Sequence, residues 1–242
     1  MSAIPRRYDI FVGNFGSGKT ELALHFATHY RGEGDVTLVD LDIVNPYFRV
    51  SERKAELEAE GIRLIAPRFA TADVEIITID PQIYSAFVGD SGYAVFDVGG
   101  DNSGARALGV YRDYFAAVGA DNLHVWLVVN VRRPLSATPE RILRLLELIN
   151  AASRLPVDGL IHNSNLSRES SGADLLDGYP VMREVARQSG LPVVYTSGEQ
   201  QALTEFLALA ERDQLDRRYI GEPLALETRM HRDWQRFIER GF

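Results

Sequence analysis

The chain has 242 residues, a formal net charge of −8 and no cysteine. The missing cysteine excludes disulfides, thiolate catalysis, iron–sulfur clusters and cysteine-rich zinc sites, and the acidic balance argues against nucleic acid as a partner. No apolar run reaches the length of a membrane-spanning helix and no secretion signal is evident at the start, so we expect a cytoplasmic protein.

Short apolar runs alternate with longer helical patterns, which is typical of βαβ units and a parallel sheet. Several runs are nearly continuous, as in strands that are buried on both faces. They predict strands at 8–13, 36–41, 62–66, 93–98, 123–130, 157–162 and 192–196. Helices are predicted near 19–31, 50–60, 104–118, 138–152, 177–189 and 199–212, with an irregular crossover over 67–91.

These elements predict a single α/β domain with three layers: a doubly wound, mostly parallel sheet of seven to eight strands with helices on both faces. Its core covers about 8–212, and a helical tail covers about 213–242. Residues 224–242 have the spacing of an amphipathic helix with several arginines, which can lie on a membrane. Acidic residues offset most of that charge, so we favour packing on the sheet or on a partner subunit.

The stretch GNFGSGKT at 13–20 satisfies the pattern G-x-x-x-x-G-K-[ST] between a strand and a helix. Its glycines let successive N–H groups point inward at phosphate oxygens, and the following helix adds its N-terminal dipole. We expect Lys19 to reach the β- and γ-phosphates and the Thr20 hydroxyl to bind Mg²⁺. The predicted nucleotide-binding residues here are Gly13, Asn14, Phe15, Gly16, Ser17, Gly18, Lys19, Thr20 and Glu21.

Two further predicted strands end in aspartates, at the edge where open parallel sheets bind ligands. We expect Asp42 to hold Mg²⁺ through water or to orient the attacking water, and a turn cap is the alternative for both Asp40 and Asp42. Asp97 has the arrangement of a Walker B carboxylate that supports the metal, and the N–H of Gly100 is expected to sense the γ-phosphate. Asp101 is either a general base toward water or the cap of the next helix.

The sixth predicted strand ends in HNSNL, where the amide of Asn163 can hydrogen-bond a nucleobase edge. Residues 196–198 are expected to form the other wall of a base pocket. The chain has no N-K-x-D sequence, which reads guanine in many GTPases. ATP is therefore favoured as the nucleotide, with GTP left open.

In order, the motifs GNFGSGKT, VDLDIVNPYF, FDVGGD and HNSNL resemble those of the signal-recognition/MinD/BioD (SIMIBI) class of P-loop proteins. The branch is that of MinD/ParA and CobQ-type domains, and within it the chain is similar to bacterial ATP-binding proteins with DLDIVNPYFR and a later GGD-x-x-GAR. The resemblance covers about 8–212 and implies binding of Mg-nucleotide at the carboxyl edge of the sheet. Many members dimerise around the nucleotide, and hydrolysis switches that interface. FDVGGD also resembles the switch of the nitrogenase iron protein, whose second aspartate acts as a general base, which favours Asp101.

The chain departs from this family pattern at Asn14, where partition-type ATPases carry a second lysine that reaches across the dimer. Either Arg49 or Arg106 supplies that charge, or the nucleotide is not sandwiched between two subunits. The favoured function is a Mg-dependent ATPase that acts as a nucleotide-driven switch, as a homodimer and with an unidentified protein partner.

Two alternatives remain open. The first is an ATP-dependent ligase of the dethiobiotin-synthetase or CobQ amidoligase kind, in which Tyr47, Arg49 or Arg68 binds an acidic substrate. The second is a nucleotide-bound interaction module with negligible turnover.

Overall fold

The structure is a computed structural model that describes residues 6–42, 53–66, 81–88, 92–100, 102–165 and 170–227. Within these ranges the chain forms one eight-stranded sheet in the order β3-β2-β4-β1-β5-β6-β7-β8. Every neighbouring pair of strands is parallel. The strands are β1 (Arg7–Val12), β2 (Val36–Leu41), β3 (Ile62–Ile65), β4 (Tyr93–Val98), β5 (Leu123–Val129), β6 (Gly159–His162), β7 (Val193–Gly198) and β8 (Glu222–Ala225).

Helices cover both faces of the sheet. They are α1 (Lys19–Tyr30), α2 (Lys54–Ala59), α3 (Pro81–Tyr84), α4 (Asn102–Val110), α5 (Arg112–Ala116), α6 (Pro139–Ser153), α7 (Gly172–Ser189) and α8 (Gln200–Arg212). On one face α1 and α2 bury Leu22, Phe26 and Leu57, and on the other face α6 and α7 bury Ile142 and Met182. The predicted three-layer α/β fold is confirmed, because strands that are apolar on both sides need helices on both faces.

The strand order places the carboxyl end of β1 at a topological switch point. From β1 the chain crosses to β2 on one side, and from β4 it crosses past β1 to β5 on the other side. Open α/β sheets bind ligands in the crevice that this reversal leaves outside the carboxyl ends of the strands. Residues 13–18 occupy this place, and the ends of β2, β4, β6 and β7 lie along the same edge.

Two predicted helices have different bounds in the structure. The helix expected over 104–118 is interrupted at Tyr111, whose N–H bonds to Leu108 in a tighter i to i+3 turn and whose ring is buried in the core. The helix expected from 177 begins five residues earlier, at Gly172. A capping box between Ser171 and Asp174 starts it there, and reciprocal bonds of this kind offset the weak helix propensity of the glycines that follow.

The predicted helical tail also differs in its first half. Residues 217–219 form a 3₁₀ turn, and Glu222–Ala225 pair with β7 as an edge strand. The N–H of Leu226 bonds to the Gly198 carbonyl, so the helix expected from 224 does not begin there, and residues 228–242 lie outside the described ranges. In the predicted crossover over 67–91, residues 81–87 form α3 and a 3₁₀ turn. Of the other residues in that stretch, the structure describes only 88.

No helix among the described ranges has both the length and the apolar character needed to cross a membrane.

Candidate functional site

The loop between β1 and α1 has a backbone that three glycines allow. Gly13, Gly16 and Gly18 have φ angles of 145°, 72° and 95°, a region that residues with side chains rarely adopt. Gly18 directly precedes the first turn of α1. The loop therefore presents the amides of its own residues and of the helix N-terminus in one place, which is the arrangement that binds anions.

Lys19 extends back over this loop. Its side chain is only 6% exposed, and the ammonium Nζ donates to the Asn14 carbonyl at 3.0 Å. A buried ammonium is unfavourable unless acceptors or anions lie close to it. Its position fits a cation that exchanges a loop carbonyl for a phosphate oxygen.

Thr20 contacts the aspartate of the neighbouring strand. The Thr20 hydroxyl donates to Asp97 Oδ2 at 2.7 Å, because parallel pairing of β1 with β4 puts Phe11 beside Asp97. Burial raises the pKa of Asp97 to about 6, and the negative charge of Asp42 adds to the rise, while Lys19 and the Thr20 hydrogen bond act in the opposite direction. This pair is what a Walker B aspartate next to a Mg²⁺-binding hydroxyl requires.

Several polar atoms around this pair are buried without a hydrogen-bond partner in the described part of the chain. They include Asp97 Oδ1, Ser17 Oγ and Asn14 Nδ2. Buried polar atoms of folded proteins are nearly always paired. These atoms fit a ligand shell that a hydrated Mg²⁺ and a phosphate group would complete.

Two aspartates, Asp40 and Asp42, lie at the carboxyl end of β2. Asp40 lies beside Asp97 in the register of β2 with β4, and its Oδ1 accepts the Asp42 N–H at 3.0 Å. The Asp40 side chain thus holds the Asp42 backbone, and any turn before Asn45 and Pro46 lies outside the described ranges. No group of three or more His, Asp or Glu in the described ranges is arranged to hold a metal by itself, and Mg²⁺ commonly takes water and phosphate oxygens for most of its ligands.

Gly100 lies directly against the loop of residues 13–18 between β1 and α1, the phosphate loop. A Cβ atom there would be 2.7 Å from Phe15 Cα and 2.9 Å from the Asn14 carbonyl carbon. The end of β4 and the loop are therefore in backbone contact, which suits a segment that senses what the loop holds. The phenyl ring of Phe15 is 60% exposed. Asp101, the other residue expected at this point, lies outside the described ranges, as do Tyr47, Arg49 and Arg68.

Two side chains hold the outer side of the loop. Asn163 Nδ2 donates to the Ser17 carbonyl at 2.7 Å, and its Oδ1 accepts from Ser197 at 3.0 Å. Arg133 Nε donates to the Gly16 carbonyl at 3.0 Å. The structure thus brings Asn163 to the loop itself, and contact of Asn163 with a nucleobase stays a prediction.

Sequence reasoning did not find Arg133, and it placed Ser197 only in the wall of a base pocket. Arg133 belongs to no motif, and only its position four residues after β5, the strand that borders β1, could have indicated it. Glu21 stands in the first turn of α1, and its contact with nucleotide stays a prediction.

No protein-family model matches the chain, and no curated protein matches it either. Among solved structures, cell division protein FtsY from Thermotoga maritima is similar with a TM-score of 0.52 and 17% identity. The match covers 84% of this chain and 64% of that one, so the chain spans less than two thirds of FtsY. At this identity the likeness shows a shared fold.

Two further structures are similar at lower scores. A nucleotide-binding protein from Archaeoglobus fulgidus in complex with ADP has a TM-score of 0.47 and 15% identity, over 89% of this chain and 90% of that one. FlhF complexed with GTP/Mg²⁺ has a TM-score of 0.44 and 16% identity, over 73% and 62%.

Proposed function

We propose that this chain binds a Mg²⁺–nucleoside triphosphate at the carboxyl edge of its sheet and hydrolyses it as a nucleotide-driven switch. The observation that carries the proposal is the 2.7 Å contact between Thr20 and the buried Asp97 directly below the phosphate loop. Mg-nucleotide binding needs that pair together with Lys19 over the loop. A glycine-rich turn with no role in binding would not bring these three side chains together. With these motifs in order, the proposed family is the SIMIBI class, in its MinD/ParA-like branch.

The roles of the residues follow from where they stand. Lys19 and the amides of residues 16 and 18–20 would bind the phosphates, the Thr20 hydroxyl would hold Mg²⁺, and Asp97 would support the ion through water. Bound Mg²⁺ supplies positive charge that neutralises the phosphate oxygens. Burial of Asp97 makes that role stronger, because an ionised carboxylate away from water gains most from a nearby cation.

Water is positioned by Asp42 or by Asp101 in this proposal. The Asp42 backbone is fixed by Asp40, and its charge is close enough to act on the pKa of Asp97, so its carboxylate lies near the proposed metal. Asp101 directly follows Gly100, which touches the loop.

ATP is the proposed nucleotide and GTP the alternative, because the chain lacks N-K-x-D. A homodimer around the nucleotide, and a protein partner, are proposed from the resemblance. Two apolar side chains support an interface near the loop, since Phe15 and Leu135 are 60% and 66% exposed and Leu135 follows Arg133 by two positions.

Nucleotide binding by the Lys19→Ala variant tests this proposal. Titration of ATP and GTP, with and without Mg²⁺, should show binding to the wild type and at least about a hundredfold loss in the variant, since a buried charge-assisted contact is removed. Lys54→Ala is the matched control, because Lys54 is exposed on α2 and pairs only loosely with Glu58 at 3.6 Å. Equal affinities of wild type and Lys19→Ala would contradict the proposal.

A further inference from the structure

Arg133 is in direct contact with the phosphate loop from the loop that follows β5. Its Nε donates to the Gly16 carbonyl at 3.0 Å. A Cβ on Gly16 would lie 3.2 Å from the central carbon of the guanidinium. The fourth residue of the loop is therefore a glycine for two reasons, its φ of 72° and the guanidinium packed on its face.

The loop that carries Arg133 is braced by a buried asparagine. Asn130 has no exposed surface, and its Oδ1 accepts the backbone N–H groups of Arg132 at 3.0 Å and Asn165 at 3.3 Å. Its carbonyl accepts from the Ser136 hydroxyl at 2.7 Å and from the N–H of Arg133 at 3.1 Å. Satisfied buried networks of this kind fix one local geometry, so the origin of the Arg133 side chain is held in place.

Arg133 and the adjacent Arg132 differ in the acidic side chains that lie next to their charges. Arg132 forms ion pairs with Asp174 and Asp177, each at 2.7 Å. No carboxylate in the described ranges forms an ion pair with Arg133, whose side chain is exposed. The positive charge beside the phosphate loop is therefore not balanced by any of the acids whose positions the structure gives.

We propose that Arg133 is a positioning residue of the phosphate loop and adds a second positive charge to it, an inference that rests on the proposed function. Arg133 and Asn163 hold the consecutive carbonyls of Gly16 and Ser17 from outside. The N–H of the peptide whose carbonyl Arg133 binds, that of Ser17, donates to the Asn14 carbonyl at 3.2 Å, so Arg133 and Asn163 fix this turn of the loop from its outer side. A charged donor also polarises the peptide that it binds, which strengthens the bond from the Ser17 N–H to the Asn14 carbonyl, the same carbonyl that accepts from Lys19.

Arg133 places a positive charge beside the phosphate loop where the family pattern has a second lysine. The chain has Asn14 in place of that lysine, and Arg49 and Arg106 are the residues expected from the sequence to supply its positive charge. Arg133 supplies the charge from within the same chain and next to Gly16, so phosphate binding does not require a cation from a second subunit.

The test compares three variants that separate charge from geometry. Arg133→Gln keeps a hydrogen-bond donor without the charge, Arg133→Lys keeps both, and Arg132→Gln removes the adjacent arginine that faces α7. Binding of adenosine and guanosine tri-, di- and monophosphates is measured at low and high salt, beside thermal unfolding of each variant. Lys19→Ala is carried through the same titrations.

We expect Arg133→Gln to bind the triphosphate about tenfold more weakly. The loss should shrink as phosphates are removed, and the salt dependence of binding should become weaker, because a screened charge–charge attraction has gone. Arg133→Lys should restore most of the affinity, and Arg132→Gln should bind as the wild type does.

Wild-type affinities in Arg133→Gln, with Lys19→Ala impaired, would overturn this inference alone. Equal loss for mono- and triphosphates with unchanged salt dependence would also overturn it, since that pattern indicates only a disturbed fold. A wild-type protein that binds no nucleotide would overturn both the inference and the proposed function.

Discussion

At the scale of single residues, Asp97 is a carboxylate that is buried in the protein. Burial raises the pKa of its carboxyl to about 6, so the folded protein without a bound cation is less stable at neutral pH than it would be with that group exposed. Unfavourable buried charges that stand next to an anion-binding loop are typical of functional sites. The same carboxylate gains when a cation arrives.

Gly100 gives a prediction at the same scale. Substitution by alanine puts a methyl group into the backbone of the phosphate loop, 2.7 Å from Phe15 Cα, and either the loop or the end of β4 has to move. We expect nucleotide affinity to fall about tenfold or more, since small displacements of binding groups have effects of this size. Calorimetric titration of the variant measures it.

Gly32→Ala is the control for this substitution. Gly32 has no atom within 4 Å of its Cβ position and does not have a positive φ, so the added methyl group meets open space. We expect unchanged nucleotide affinity for Gly32→Ala. Unchanged affinity for Gly100→Ala would show that the contact between β4 and the loop has no part in binding.

At the scale of elements, β8 shows how a short edge strand is held. Gly221 precedes it with a φ of 73°, and a Cβ there would lie 2.8 Å from the Val194 carbonyl. Behind it, the Thr196 hydroxyl bonds to the carbonyl of Ile220. The strand is thus attached to β7 by a close backbone approach as well as by its ladder.

Gly221→Ala is therefore expected to destabilise the protein more than the equivalent change at Gly190. Gly190 ends α7 with nearly the same φ, 74°, but has open space at its Cβ position. The left-handed conformation alone costs ~1–2 kcal/mol in both variants, and overlap at Gly221 should add ~1–3 kcal/mol. Urea denaturation gives the two free energies of unfolding, and equal values would contradict the close approach.

At the scale of the whole molecule, the buried His162 is expected to make the free energy of unfolding depend on pH. Burial lowers the pKa of this histidine from 6.5 to about 3. Between these values the unfolded chain is protonated at this group and the folded protein is not. The contribution of His162 to stability is therefore complete above pH 6.5 and is lost as the pH falls toward 3, by up to ~1.4 kcal/mol per pH unit.

Urea denaturation of wild type and His162→Asn at pH 7 and at pH 5.5 measures this contribution. The raised pKa of Asp97 acts in the opposite direction below about pH 6, so the difference between the two proteins is the quantity to compare. We expect a smaller loss of stability on acidification from pH 7 to pH 5.5 in His162→Asn than in the wild type. Equal losses of stability in the two proteins would contradict burial of a neutral His162.

The parts of the fold that local sequence determines were predictable. Strands such as 36–41 are nearly continuous apolar runs, and the loop at 13–20 requires its glycines, so their type and order followed from single stretches. β8 was missed because Glu222–Ala225 has only four residues and includes a proline, and its pairing is decided by β7 rather than by its own pattern. Arg133 was missed for the same reason, since only the order of strands brings it to Gly16.

Release of inorganic phosphate by the purified protein, with ATP or GTP, tests the central claim most directly. The measurement is made with and without Mg²⁺, across a range of protein concentrations, for the wild type and for Lys19→Ala. We predict Mg²⁺-dependent turnover that Lys19→Ala abolishes, with a specific activity that rises with concentration if the active species is a dimer. Turnover that persists without Mg²⁺ and in Lys19→Ala, or its absence from the wild type, would contradict a hydrolytic site built from Lys19, Thr20 and Asp97.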